Sequence, residues 1–102
     1  MKFVFTEKQM KLLEIFSKAI ANKKRIKILV LIDERNDLSV EEISEIVKIN
    51  YQTGATHIQR LEQVGFISKK YNGLRVNHRI TKRGKEVLYF FQKILTLDSN
   101  PS

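Results

Sequence analysis

Apolar positions recur every three or four residues along most of the chain, the spacing of one helix face, and give way to strand-like alternation only between residues 66 and 80. Thr6 followed by Gln9 forms a capping box, and Met10, Leu13, Phe16 and Ile20 then line one side of a helix predicted over about residues 7–20. Leu12, Ile15 and Ala19 add a second apolar stripe, more than a single packing face needs, so something else must cover it. Asn22 caps a second helix over about residues 23–33, with Ile26, Ile28, Leu29, Val30 and Ile32 inward, and the polar stretch Asp33 to Asp37 ends it. Ser39 and Glu42 make another capping box, opening a short third helix whose Val40, Ile43, Ile46 and Val47 face the core. Lys48, Ile49 and Asn50 leave room only for a tight turn, and Asn50 caps a fourth helix over residues 51–64, closed by Gly65. Two helices so closely spaced define a helix-turn-helix.

Phe66–Tyr71 and Leu74–Ile80 are strand-like and are separated by Asn72 and Gly73, a dipeptide suited to the positive φ angles of a two-residue hairpin turn. In the second strand Val76, His78 and Ile80 share one face, and Arg75, Asn77 and Arg79 share the other, predicted to be wet and basic. Thr81 caps a last helix over about residues 82–97, in which eight of the eleven residues from Val87 to Leu97 are apolar or aromatic. That again exceeds one buried stripe. The expected class is mainly α with a small β-hairpin, in the order αααα-ββ-α, as a single domain over residues 1–97 followed by a polar tail, 98–102.

A chain of 102 residues has room for one core only. Its apolar run Phe3, Val4, Phe5 is too short for a signal-peptide core and nothing later approaches a membrane span, so a cytoplasmic protein is expected. The absence of cysteine excludes thiol catalysis and thiolate metal sites, and two histidines leave little to ligate a metal; no metal or other cofactor is expected. Nothing pairs a nucleophile with a base and the glycines do not cluster into a phosphate loop, so the chain does not read as an enzyme. His57 on the inner face of the fourth helix reads as a packed, hydrogen-bonded side chain rather than a ligand.

Charge points elsewhere. The net charge is +8, yet residues 1–50 hold ten basic against eight acidic side chains, whereas residues 51–102 hold nine against three. Seven cations (Lys69, Lys70, Arg75, Arg79, Lys82, Arg83 and Lys85) occur between residues 67 and 85 without one acid, a clustering that favours a polyanionic partner. Lys23, Lys24 and Arg25 crowd the start of the second helix, against its dipole, which suits an anion partner and a merely solvated helix end equally. On a helical wheel the fourth helix places Gln52, Ala55, Thr56, Gln59 and Gln63 on its outer face. Glutamine can bridge adenine N6 and N7, and small side chains can meet a thymine methyl, so this face suits the major groove; it equally suits plain solvation. The neighbouring basic hairpin supplies the phosphate attraction that the uncharged helix lacks.

Taken together, "AIANKKRIKIL", "LSVEEISEIVKINYQTGATHIQRLEQVGFI" and "KKYNGLRVNHRITKRGKEVL" resemble, in order and spacing, the winged helix-turn-helix transcription regulators of the ArsR type, with MarR-like and archaeal-type relatives. The similarity runs from about Leu12 to Leu88. It implies a homodimer that places its recognition helices in successive major grooves of double-stranded DNA, with Tyr51, Gln52, Ala55 and Thr56 at base-reading positions; the wheel adds Gln59. Lys23, Lys24, Lys69, Lys70, Asn72, Arg75, Asn77 and Arg79 are the candidates for backbone or minor-groove contact. Leu12, Ile15, Ala19, Val87, Phe90, Phe91, Ile94 and Leu97 are the candidates for the dimer contact. The cysteines and the histidine-bearing last helix of metal-sensing relatives are missing, and Gly54 stands where a larger apolar residue is usual. Two other functions fit the same cations and apolar helices: an architectural chromatin protein with little sequence preference, and a winged-helix module for protein assembly.

Overall fold

The computed structural model describes residues 1–97, so the expected polar tail lies outside the described residues. Five helices and one hairpin follow in the expected order: α1 (Glu7–Ile20), α2 (Lys23–Glu34), α3 (Val40–Val47), α4 (Tyr51–Gln63), β1 (Ile67–Asn72), β2 (Arg75–Ile80) and α5 (Lys82–Thr96). Every helix begins at the cap legible in the sequence. The Thr6 and Ser39 side chains accept from the Gln9 and Glu42 amides in two complete capping boxes, and Asn22, Asn50 and Thr81 accept from Arg25, Thr53 and Gly84 amides. Each cap satisfies one of the amides a helix start leaves orphaned.

Helix ends are set as locally. Past α4 the Gly65 amide bonds Glu62 O at 2.9 Å and the Phe66 amide bonds Leu61 O at 3.0 Å, the paired bonds of a Schellman turn, for which Gly65 takes φ +76°. Past α3 the same pattern forms with Lys48 at φ 60°, its amide on Glu45 O and that of Ile49 on Ser44 O. A non-glycine residue thus makes the turn of the helix-turn-helix.

The core gathers Ile28, Leu29 and Ile32 of α2, Leu38, Ile43 of α3, Leu61 of α4, Phe66 and Ile67, all essentially solvent-free. Phe16 of α1 packs on Phe66 with ring centroids 5.8 Å apart. Val30 and Ile46, expected inward, are exposed, because their helices turn a neighbouring stripe to the core. Met10 and Leu13 are also exposed, although they share the stripe of Phe16 and Ile20: α1 touches α2 and α4 only through its last turns. Among the described residues no helix is long and apolar enough to cross a membrane.

The hairpin pairs Ile67 with Ile80 through to Asn72 with Arg75. The two-residue loop is therefore Gly73-Leu74, one position later than the Asn72-Gly73 turn expected. Gly73 has φ +65° and Leu74 a negative φ, the combination of a type II′ turn, whose demand for glycine falls on its first loop position. On the inner edge of β2, Leu38 forms a single antiparallel bridge with His78, so the segment before α3 serves as a third, minimal strand.

Candidate nucleic-acid interface

The α4 axis carries the expected division of faces. Gly54, Ile58 and Leu61 are buried, Gln52, Thr56 and Gln59 are exposed, Ala55 is half-buried, and Tyr51 at the first turn is 56% exposed. Thr56 Oγ1 donates to Gln52 O at 3.0 Å, which leaves its oxygen lone pairs and methyl to meet a partner. Glu62, the one acid of α4, stands 3.6 Å from Lys69 Nζ, so its charge is partly offset by the wing.

The wing's basic side chains do not form a uniform strip. Cross-strand pairing puts Lys69 with His78 and Lys70 with Asn77, so the two consecutive lysines lie on opposite faces: Lys69 on that of buried His78, Lys70 with Arg75 and Arg79. Lys70 and Arg79 are exposed and make no ion pair among the described residues, and Asn72 is exposed beside the turn. Arg75 is engaged: its Nε donates to Asn77 Oδ1 at 2.6 Å and one terminal nitrogen to Asp37 O at 2.9 Å and to the Glu42 carboxylate. Asn77, expected on the wet face, is only 8% exposed, because its amide oxygen is the acceptor for that guanidinium. It offers almost no surface to DNA.

His78 is a core residue: its Nδ1 donates to Leu38 O at 3.0 Å, and its Nε2 is buried without a partner among the described residues. Among the described residues no three histidine, aspartate or glutamate side chains gather as a metal would require.

The MarR family model matches residues 22–72, half of the chain, spanning α2, the helix-turn-helix and β1. The chain belongs to the MarR family. Of the regulator groups the sequence pattern resembles, the matching family model is the MarR one, and solved structures extend the likeness to nearly the whole chain. It superposes on NolR from Sinorhizobium fredii with a TM-score of 0.78 at 18% identity, covering 92% of this chain and 96% of that one. For Rv0081 of M. tuberculosis the values are 0.77, 28%, 88% and 91%. The homodimeric winged helix-turn-helix DNA-binding domain Mb0332 from Mycobacterium bovis, described as a possible ArsR-family regulator, gives 0.70 at 22% identity, covering 99% and 98%. No curated protein matches the chain in sequence. The fold is the winged helix, and family and fold are those of DNA-binding transcription regulators rather than enzymes.

Two cations of the chain behave as no local pattern foretells. Arg25, 8% exposed, sends Nε to Ala19 O at 2.7 Å and a terminal nitrogen to Lys18 O at 3.1 Å, so it caps the end of α1, while its other terminal nitrogen donates to His57 Nδ1 at 3.2 Å. Lys24 Nζ donates to Val47 O at 3.0 Å, at the end of α3. Two of the three charges that opposed the α2 dipole therefore rest on the negative ends of other helices. Of the candidates at this end, Lys23 alone is fully exposed.

The proposed dimer stripe is mostly open: Leu12, Ile15, Phe90, Ile94 and Leu97 are 43 to 62% exposed, and Val87 and Phe91 half-buried. Ala19 departs from it. At 6% exposure it belongs to the core, since the chain folds α2 back under the end of α1.

Proposed function

We propose that this MarR-family protein is a sequence-specific regulator of transcription that binds double-stranded DNA as a homodimer in the cytoplasm, α4 in the major groove and the hairpin wing on the backbone or in the adjacent minor groove. The observation that carries this reading is the exposed face of Gln52, Thr56 and Gln59 lying beside a wing whose Lys70 and Arg79 hold no carboxylate partner among the described residues. Amide and hydroxyl groups discriminate bases, and unpaired cations release counterions from phosphate. Residues 1–97 act as one winged-helix domain, and α1 and α5 supply the contact between copies.

Support for the dimer comes from shape and exposure. Of α1 only Ala19 is buried, and of α5 only Gly84. The radius of gyration is 15.4 Å, against about 13 Å for a compact domain of this length, because both helices project from the core. Isolated helices of this length are marginal in water, so a second copy is the natural cover. Homodimeric assembly is also what is described for the Mb0332 domain.

Selection of bound duplexes from a random pool tests the reading. We expect an inverted repeat with half-sites about one helical turn apart, and Gln52→Ala to change the preferred base at one position per half-site, worth about 1–3 kcal/mol of discrimination. Retention of duplexes without any consensus would make the protein architectural. Failure to retain duplex at about 50 mM salt would make it a protein-assembly module.

A further inference from the structure

We infer that Arg75 is a positioning residue and not a phosphate contact: it pins the wing to the start of α3 and thereby sets the angle at which the hairpin leaves the helix-turn-helix. The inference rests on the DNA-binding reading above and changes the part Arg75 plays in it. By cross-strand register Arg75 shares the outer face of the hairpin with Lys70 and Arg79, and by charge alone all three are equivalent. Their surroundings differ. The Arg75 guanidinium commits three of its five N–H donors to Asn77 Oδ1, Asp37 O and the Glu42 carboxylate, acceptors from two separate stretches of chain.

Glu42 is itself fixed. As the closing residue of the α3 capping box its Oε1 accepts from the Ser39 amide at 2.9 Å and the Ser39 hydroxyl at 3.1 Å. A carboxylate held this way by its own helix is a stationary anchor, and the planar arginine fork suits it as a lysine ammonium does not. Directly alongside, the His78 amide donates to Leu38 O at 3.0 Å, so the backbone bridge and the side-chain pin join β2 to the same short segment. A phosphate meeting Arg75, whose side chain is 46% exposed, would find its charge already paired with a carboxylate, whereas Lys70 and Arg79 make no ion pair among the described residues.

The test compares Arg75→Lys, Arg75→Ala, Glu42→Gln and Arg79→Ala by hydrogen exchange of the His78 amide in the free protein and by affinity for the selected duplex across a salt series. Glutamine preserves the capping box while removing the ionised partner. We expect Arg75→Lys, Arg75→Ala and Glu42→Gln each to speed His78 amide exchange about tenfold, as local opening of the bridge requires. Both Arg75 variants should weaken duplex binding about tenfold with the slope of log affinity against log salt unchanged, and Arg79→Ala should leave exchange alone and lower that slope by about one. The inference is overturned if Arg75→Lys binds as the parent does, or if Arg75→Ala lowers the slope by about one while His78 exchange stays put. Should no variant and not even the parent bind duplex, the DNA reading fails, and the exchange rates still decide whether the pin exists.

Discussion

Arg25 and His57 show how one buried pair constrains ionisation. A guanidinium only donates, so the His57 Nδ1 that faces it at 3.2 Å must keep its lone pair, and the imidazole is neutral. Burial, and after it the charges of Arg25 and Arg60, hold its pKa below the ordinary 6.5. A base with a depressed pKa in the fold binds its proton more readily when unfolded, so the stability it supports is complete above about pH 6.5 and is lost as pH falls through the lower folded value. The melting temperature is accordingly expected to drop between pH 7 and pH 5, and to drop less in His57→Gln, whose amide oxygen accepts from Arg25 at any pH; equal acid sensitivity in thermal melts would refute this. Glu42 does not confuse the measurement. Its carboxyl is held below the usual 4.5 by the Ser39 amide and then by Arg75, so its contribution is lost only at more acid pH.

Between elements, α3 and α4 pack tightly at Gly54. A Cβ built on Gly54 would lie 1.9 Å from Ser44 Oγ and 3.1 Å from Ser44 Cβ, so a side chain there forces the two helices of the helix-turn-helix apart. Gly54→Ala would gain about 1 kcal/mol of helix propensity in isolation, yet the overlap is expected to make it a net loss of about 1–2 kcal/mol in denaturant unfolding. In a Ser44→Ala background, without the buried hydroxyl, the loss should shrink by at least half; additive effects would show that the contact is not the cause. The departure of Gly54 from the larger residue common in relatives is visible in sequence, but its reason is not, since it depends on which side chain the neighbouring helix sets opposite. Caps behave in the contrary way. Thr6, Asn22, Ser39, Asn50 and Thr81 act on amides three residues away, within the reach of local pattern, and all five lie where the sequence places them.

For the whole molecule, the same contrast of reach separates what was legible from what was not. Order and type of the elements follow from periodicity and turn chemistry, and the hairpin turn slips by one residue because Gly73 satisfies either of two loop registers. The engagements of Lys24, Arg25 and Arg75 join residues 23, 32 and 38 positions apart, and no local pattern encodes them. The surplus apolar stripes are the opposite case: they stand out in sequence, and nothing among the described residues covers them. Phe90, at 58% exposure on α5, is placed to bury its ring in the proposed contact between copies. Phe90→Glu is expected to yield a monomer in sedimentation and to weaken duplex binding by about a hundredfold, since two linked readers gain at least that much over one. A dimer that survives the substitution would remove α5 from that contact.

The hairpin is flanked by Leu38 on the β2 side, and β1 pairs with β2 alone. Its far border therefore presents unsatisfied main-chain groups to which a foreign strand would otherwise zip. Consecutive lysines at positions 69 and 70 stand along that border, and charge of this kind is how natural sheets repel unwanted extension. The ammonium groups proposed to meet phosphate thus also guard this border, and replacing them with apolar residues is expected to endanger solubility before it reveals anything about DNA.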